Sequence, residues 1–160
     1  MAVTLVTILV SLAFWGYEPV KERAFSAICI SKIKSIHSGL TTSLTDNGIW
    51  PQPPNLPPEA LDEWWINTLI PYGVTQKTWI CPSMKQLASA NGDTTYSLKS
   101  SYVIARFDKK PNSAYKYQTQ PWLIEKADFH RDGPNVCFPD GSIQGLESIL
   151  NKRNKNNENK

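Results

Sequence analysis

The feature that most constrains this chain is an uncharged segment near its N-terminus, from Ala2 to Tyr17. As a helix it would be apolar on every side, so it needs lipid or neighbouring helices around it. Sixteen residues span about 24 Å at the helical rise, somewhat less than the roughly 30 Å hydrocarbon core of a bilayer. We therefore predict a transmembrane or filament-core helix in residues 1–18. The predicted assembly positions within it are Leu5, Ile8, Val10 and Leu12.

Two other interpretations of this segment are a cleaved secretory signal and a core helix of a soluble protein. A signal is disfavoured because no Lys or Arg precedes the run, and because Phe14, Trp15 and Gly16 do not form a small-residue cleavage site. A core helix is disfavoured because the run starts at residue 2, with nothing before it to pack against. A membrane or filament environment is the remaining expectation.

Residues 19–48 continue the helix with a different surface. Their apolar positions recur every three or four residues, which predicts a single helical stripe. That stripe consists of Phe25, Cys29, Ile33, Ile36, Leu40 and Leu44. Pro19 removes a backbone donor, so a kink is expected near it. We predict a nearly continuous helix from Ala2 to about Thr45, roughly 65 Å long, whose stripe is covered by the rest of the chain.

Residues 49–150 are predicted to form the globular body. Five prolines among the nine residues 50–58 indicate an extended crossing from the helix. A short helix should follow Pro58, and short apolar segments separated by turn residues predict strands near residues 102–107, 122–125 and 135–146. The expected fold class is α+β, a long N-terminal helix packed on a small antiparallel sheet.

The net positive charge of the chain comes from its C-terminus. Net charge is +3, and residues 151–160 alone supply four basic side chains against one acidic one. The other 150 residues then hold 13 basic and 13 acidic side chains, out of totals of 17 and 14. A balanced body does not favour nucleic acid as a partner. The tail 151–160, rich in Asn and Lys, is predicted to be disordered.

Short motifs in this chain occur in an order that resembles the bacterial pseudopilins of type II secretion, within the type IV pilin superfamily. After the uncharged helix come Pro19-x-x-x-Arg23-Ala24, Cys29 followed by Lys32 to Ile36, Asp46-Asn47-Gly48 with a proline, and Cys81-Pro82-Ser83. The most similar subgroup carries a C-terminal His-x9-Asp-Gly motif, matched here by His130, Asp140 and Gly141. The resemblance covers nearly the whole chain.

The resemblance implies a pilin-like fold and a structural role. The chain would be a filament subunit, a single-pass protein of the bacterial inner membrane with a periplasmic or extracytoplasmic body. Its partners would be copies of itself, other pseudopilins and the inner-membrane secretion assembly platform. Family members begin with a basic leader, a cleavage glycine, a phenylalanine and a glutamate, which this sequence lacks. We expect Met1 to correspond to the residue after that glutamate; prepilin peptidase is a partner if a leader lies upstream.

No catalytic, cofactor-binding or metal-binding residue is predicted, and we expect no enzyme activity. His130 could be grouped with Asp128, Asp132 and Asp140 as a metal or acid–base cluster. A histidine near an Asp-Gly turn more often fixes a hairpin by hydrogen bonding. Some pseudopilins bind calcium through a C-terminal loop, but these aspartates lack a recognisable loop spacing, so calcium binding is not carried over.

The three cysteines allow three pairings. Cys29 lies on the helical stripe, and Cys81 begins a segment expected to pack near it, so a bridge between them would tie the helix to the body in an oxidising compartment. Such a bridge requires alpha carbons within about 7 Å. Cys137 would then be a buried thiol in the final hairpin. A chain with all three cysteines reduced is an equally good expectation.

A second function, from a different class, is a membrane-tethered extracytoplasmic binding domain. Its ligand, a glycan or a peptide, would contact exposed tryptophans. The candidates are Trp50, Trp64, Trp65, Trp79 and Trp122. Because the body has few other large apolar residues, these side chains fit a core better than a binding surface.

Overall fold

The structure is a computed structural model. It describes residues 2–84, 99–128, 130 and 132–158, with side chains described for residues 20–84, 99–128, 130 and 132–155. The helices are α1 (Ala2–Asn47), α2 (Pro58–Leu69) and α3 (Leu146–Glu158), and short 3₁₀ turns lie at Ile70–Tyr72, Gln76–Trp79 and Ser113–Tyr115. The strands are β1 (Tyr102–Ile104), β2 (Leu123–Glu125), β3 (Asn135–Cys137) and β4 (Ile143–Gly145).

The four strands form one antiparallel sheet in the order β1-β2-β3-β4, so each strand pairs with its neighbour in sequence. Tyr102 lies opposite Glu125, and Leu123 lies opposite both Ile104 and Cys137. An α+β fold with a long N-terminal helix and a small antiparallel sheet is therefore confirmed. The strands are only three residues long, so the sheet depends on the helix packed against it.

Helix α1 is the longest element, with 46 residues, about 69 Å at the standard rise. Its stripe is fully buried from Cys29 onward, while Phe25 is half-buried. Gly39 allows close approach to the body, because a Cβ there would clash with the Val74 side chain. The predicted kink at Pro19 and the surroundings of the four assembly positions lie outside the residues whose side chains are described.

Within the described part of the chain, no helix combines the length and the hydropathy of a membrane span.

The core between α1 and the sheet is built around aromatic rings. Trp122, fully buried just before β2, lies 4.8 Å from Trp50, 5.0 Å from Tyr115 and 5.0 Å from His37, centroid to centroid. Its indole Nε1 donates to the Ala114 carbonyl at 2.9 Å. The buried tryptophans therefore fill the space that a sheet of such short strands leaves open.

The C-terminus differs from the prediction of a disordered tail. Helix α3 continues to Glu158 and includes most of residues 151–160. Its start is anchored, because the N–H groups of Leu146 and Glu147 donate to the carbonyls of Pro134 and Asp132. Glu147 in the first turn and Lys155 in the last also suit the helix dipole. The tail has few apolar residues, so its composition alone did not predict these backbone hydrogen bonds and helix-dipole interactions.

We expect Trp122→Ala to lower the free energy of unfolding by about 3–5 kcal/mol, because it empties the centre of the aromatic cluster. Trp64→Ala is the matched control, since Trp64 is half-buried and should cost clearly less. Urea denaturation followed by far-UV circular dichroism measures both variants. Equal losses would contradict the central place of Trp122.

Candidate functional site

A disulfide joins helix α1 to the body. Cys29 and Cys81 are both fully buried, with alpha carbons 5.4 Å apart and sulfurs 2.06 Å apart. Of the pairings that the sequence left open, this is the one in the structure; Cys137 is a free, buried thiol. The bridge closes a separation of 52 residues, so it fixes the helix against the segment that precedes β1.

Polar contacts align the two cysteines. Lys32, one helical turn beyond Cys29, donates to the carbonyls of Lys77 at 2.9 Å and Ile80 at 2.6 Å. The backbone N–H of Cys81 donates to the Ser101 hydroxyl at 2.8 Å. The segment around Cys81 is thus held by α1 on one side and by the residues entering β1 on the other.

A buried carboxylate and a histidine lie beside the disulfide. The Glu125 side chain, at the end of β2, is 0% exposed, and the His130 side chain is 6% exposed. His130 Nε2 lies 3.3 Å from Glu125 Oε1 and 3.9 Å from Cys81 Sγ. One ligand atom from each of Cys29, Cys81, Glu125 and His130 lies within 4.8 Å of the others. We call these four residues the junction cluster.

Asn135 holds the second oxygen of Glu125. Its backbone N–H donates to Oε2 at 2.8 Å, and its side-chain Nδ2 donates to the same atom at 3.0 Å. These two bonds link β2 to the start of β3 through side-chain contacts as well as through the ladder. They leave Oε1 directed towards His130, so the carboxylate presents one oxygen to the junction cluster.

Sequence reasoning did not single out Glu125, although a signal was present. Leu123 and Glu125 are two residues apart in a strand, so they lie on the same face, and Leu123 is in the core. A carboxylate at a core-facing strand position needs a dedicated partner. The partners, Asn135 and His130, come from later segments that the strand pattern does not reveal.

The His-x9-Asp-Gly residues are not brought together. His130 joins the junction cluster, whereas Asp140 and Gly141 form the β3–β4 turn, where Asp140 Oδ1 accepts from the Ser142 N–H at 2.9 Å. The expectation that His130 fixes this hairpin is therefore corrected: in the described residues its partner is Glu125. The loop before β3 places His130 beside the disulfide and not at this turn.

The histidine that reaches the Asp-Gly turn is His37 on α1. Its Nε2 lies 3.1 Å from the Pro139 carbonyl oxygen, and its ring stacks on Trp122. Gly141 has φ +78°, and a Cβ there would lie 3.3 Å from the His37 ring, so both conformation and space favour glycine. The Asp-Gly turn of the motif thus meets α1 at His37, whereas His130 contacts Glu125 and Cys81 of the body.

Asp128 and Asp132, the other acidic residues predicted near His130, are not in the junction cluster. Among the described residues, that cluster is the group of His, Cys, Asp and Glu side chains close enough to share an ion. The grouping of aspartates with His130, which the sequence analysis had disfavoured, does not form in the described residues; two sulfurs and one glutamate lie beside His130 instead.

Burial also raises the pKa of the free thiol. Cys137 lies at the end of β3, its Sγ donating to the Phe138 carbonyl, and burial with the nearby charge of Asp140 raises its pKa to about 12. The pKa of Asp140 is lowered by hydrogen bonds from Ser142. Burial first, and then the charge of Glu125, raises the pKa of Tyr102. These groups keep one protonation state near neutral pH.

An open cleft of about 370 Å³ lies at the end of α1, between that helix and α2. Half-buried Trp64 and Tyr72 line it, and Asn47 donates to the Tyr72 hydroxyl at 2.9 Å. The surface of the cleft is mainly apolar, although Ser43, Asn47, Gln52 and Thr68 also line it. Among the described residues, this cleft is a candidate surface for the ligand of a binding domain.

No protein-family model, curated protein or solved structure matches this chain. The similarity to pseudopilins consequently stays an interpretation of motif order.

We expect the double variant Cys29→Ser with Cys81→Ser to lose about 2–4 kcal/mol of unfolding free energy, because the bridge restricts the unfolded chain. Urea denaturation with and without a reductant measures this loss. The reductant should destabilise the unmodified chain and leave the double variant unchanged. An unmodified chain insensitive to the reductant would contradict the bridge.

The pKa of Cys137 predicts a slow and strongly pH-dependent reaction with iodoacetamide. At pH 8 the native thiol should alkylate at least about 100-fold more slowly than in urea, where an unperturbed cysteine titrates near 8.5. Because the folded pKa is raised, the contribution of this thiol to the free energy of unfolding is present in full below the unfolded pKa of about 8.5 and is lost as the pH rises towards about 12. Mass spectrometry of timed samples follows the reaction; equal native and unfolded rates would refute it.

Proposed function

We propose that this protein is a structural subunit of a type II secretion pseudopilus or a related type IV pilus-like filament, assembled through α1. The observation that carries the proposal is the asymmetry of this helix. Its fully buried stripe begins at Cys29, yet the helix starts at Ala2 and its sequence to Tyr17 holds no charge. Because the segment from Ala2 to Tyr17 carries no charge, a helix formed by it needs lipid or other helices around it.

Burial of these side chains supplies the free energy for assembly. A leucine-sized side chain contributes about 1.5–3 kcal/mol when removed from water, and the segment carries Leu5, Ile8, Val10 and Leu12. Lipid and neighbouring helices can both provide that burial. A subunit held in the inner membrane can then move into a filament by exchanging lipid contacts for contacts with the helices of other subunits.

The exposed apolar residues of α1 extend this surface towards the body. Val20 is 65% exposed and Ile28 is 44% exposed. Both lie after the uncharged segment, which ends at Tyr17. Contacts with adjacent subunits would cover them, as is common for apolar residues grouped at an interface.

The junction cluster supports the same function mechanically. A subunit whose helix packs inside a filament and whose body lies outside needs a firm connection between the two. The Cys29–Cys81 bridge, the contacts of Lys32 and the contact of His37 with the β3–β4 turn provide three attachments. This role requires no catalytic residue, cofactor or nucleic acid.

The proposed location is the bacterial inner membrane, with a single pass and a periplasmic or other extracytoplasmic body. A disulfide between Cys29 and Cys81 suits an oxidising compartment. The proposed partners are copies of the chain, other pseudopilins and the secretion assembly platform, with prepilin peptidase acting where a leader precedes the apolar segment.

The alternative, a membrane-tethered binding domain, has weaker support. It depends on exposed tryptophans, but Trp50, Trp65, Trp79 and Trp122 are buried in the core. Trp64 remains half-exposed at the cleft. A single half-exposed tryptophan in an open, mainly apolar cleft is a poor basis for specific ligand recognition.

We expect Ile8→Asp to abolish both membrane retention and incorporation into oligomers, because a charge within the apolar segment costs about 2.5–3.5 kcal/mol in a bilayer. Membrane fractionation and chemical crosslinking measure the two effects. Asn151→Asp on α3 is the matched control for added charge and should behave like the unmodified chain. Circular dichroism of a version starting near Val20 checks that the body folds without the segment.

If the Ile8→Asp variant still fractionates with membranes and still crosslinks into oligomers, the N-terminal helix is not the assembly element. The filament proposal would then have to be abandoned.

A further inference from the structure

We propose that the reduced chain binds one divalent metal ion of the zinc type through Cys29, Cys81, His130 and Glu125. The junction cluster would then be a disulfide when oxidised and a metal site when reduced. Two thiolates, one imidazole and one carboxylate are ligands that zinc accepts in tetrahedral sites. The sequence analysis predicted no metal site, since it did not bring these four residues together.

The spacing of the cluster is close to what a tetrahedral ion needs. Zinc–nitrogen and zinc–oxygen bonds of about 2.0–2.1 Å place those two ligand atoms about 3.3 Å apart, and His130 Nε2 lies 3.3 Å from Glu125 Oε1. A zinc–sulfur bond of about 2.3 Å gives a sulfur–nitrogen separation of about 3.6 Å, against 3.9 Å from Cys81 Sγ to His130 Nε2. These two distances need to change little for an ion to bind.

The distance that must change is the one between the two sulfurs. They are 2.06 Å apart in the disulfide and would be about 3.8 Å apart on a tetrahedral ion. Reduction breaks the bond and allows that separation. The metal site therefore belongs to the dithiol state alone, and the two states exclude each other.

The outer contacts of the cluster suit a metal site. Asn135 donates both of its hydrogen bonds to Glu125 Oε2, which fixes the carboxylate and leaves Oε1 as the ligand atom. Such second contacts orient metal ligands and raise affinity. The ion would also place two positive charges beside a carboxylate that is fully buried, offsetting part of its desolvation.

The conversion between the states balances as a two-electron reduction. A water-soluble phosphine gives two electrons to the disulfide, takes the oxygen of one water as phosphine oxide, and the two hydrogens of that water complete the thiols. Binding of the ion then releases these two protons as two metal–sulfur bonds form. A newly synthesised chain already carries thiols and needs no reductant to enter the metal-binding state.

A consequence concerns the junction itself. The ion would join α1, the segment before β1, the end of β2 and the loop that carries His130. In the oxidised chain the same elements are connected by the disulfide together with Glu125 and His130. A reduced subunit would thus keep its helix attached to its body while the ion is bound. This inference is independent of filament assembly.

The test uses the full-length chain in a mild detergent, reduced with phosphine under anaerobic conditions and titrated with zinc against a chromophoric chelator. We expect one zinc ion per reduced chain and none per oxidised chain. Cobalt in place of zinc should give the intense visible bands of a tetrahedral ion with a thiolate-to-cobalt charge-transfer band. X-ray absorption at the zinc edge should show two sulfur and two nitrogen or oxygen ligands.

Variants identify the ligands. Glu125→Gln and His130→Ala should each weaken zinc binding by at least about 10-fold, the loss that changes around metal ligands produce. Cys137→Ser and Asp140→Asn are the matched controls for the thiol and the acid, and they should retain unmodified affinity. The spectra of the unmodified reduced chain keep the test decisive if a variant fails to fold. A reduced chain that binds no stoichiometric zinc, or an ion with three sulfur ligands, would overturn the proposal.

Discussion

The rest of this structure depends on the packing of the apolar stripe of α1 against the body. A sheet of three-residue strands has little stability alone, and a helix with an apolar stripe cannot remain exposed in water. Each covers the other, and large aromatic rings such as Trp122 and Trp50 fill the space between them. The disulfide and the contacts of Lys32 then fix the position of the helix along the body.

The polar side chains of the core follow from this arrangement. Glu125 occupies a core-facing position of β2, where an unpartnered carboxylate would be costly. Asn135 satisfies one oxygen, and His130 approaches the other beside Cys81. The disulfide that connects α1 to the body thus lies within the proposed metal site.

Much of the fold could be predicted from local pattern, because spacing along a helix or strand is a local property. The stripe from Cys29 to Leu44 and the α+β class are of this kind. The site was predicted less well, since its members meet through tertiary packing. The order of Cys29, Cys81 and His130 along the chain gives no indication that Glu125 lies among them, and the anchoring of α3 by Pro134 is equally non-local.

We propose that α1 connects neighbouring subunits, while the disulfide and its neighbouring contacts hold each body to its own helix. Photocrosslinking in membranes tests it most directly, with a photoreactive amino acid placed at Leu12 in one sample and at Asn151 in another. The account predicts a ladder of crosslinked oligomers from Leu12 and monomers from Asn151. Monomers from Leu12, in a chain that remains folded and membrane-bound, would contradict it.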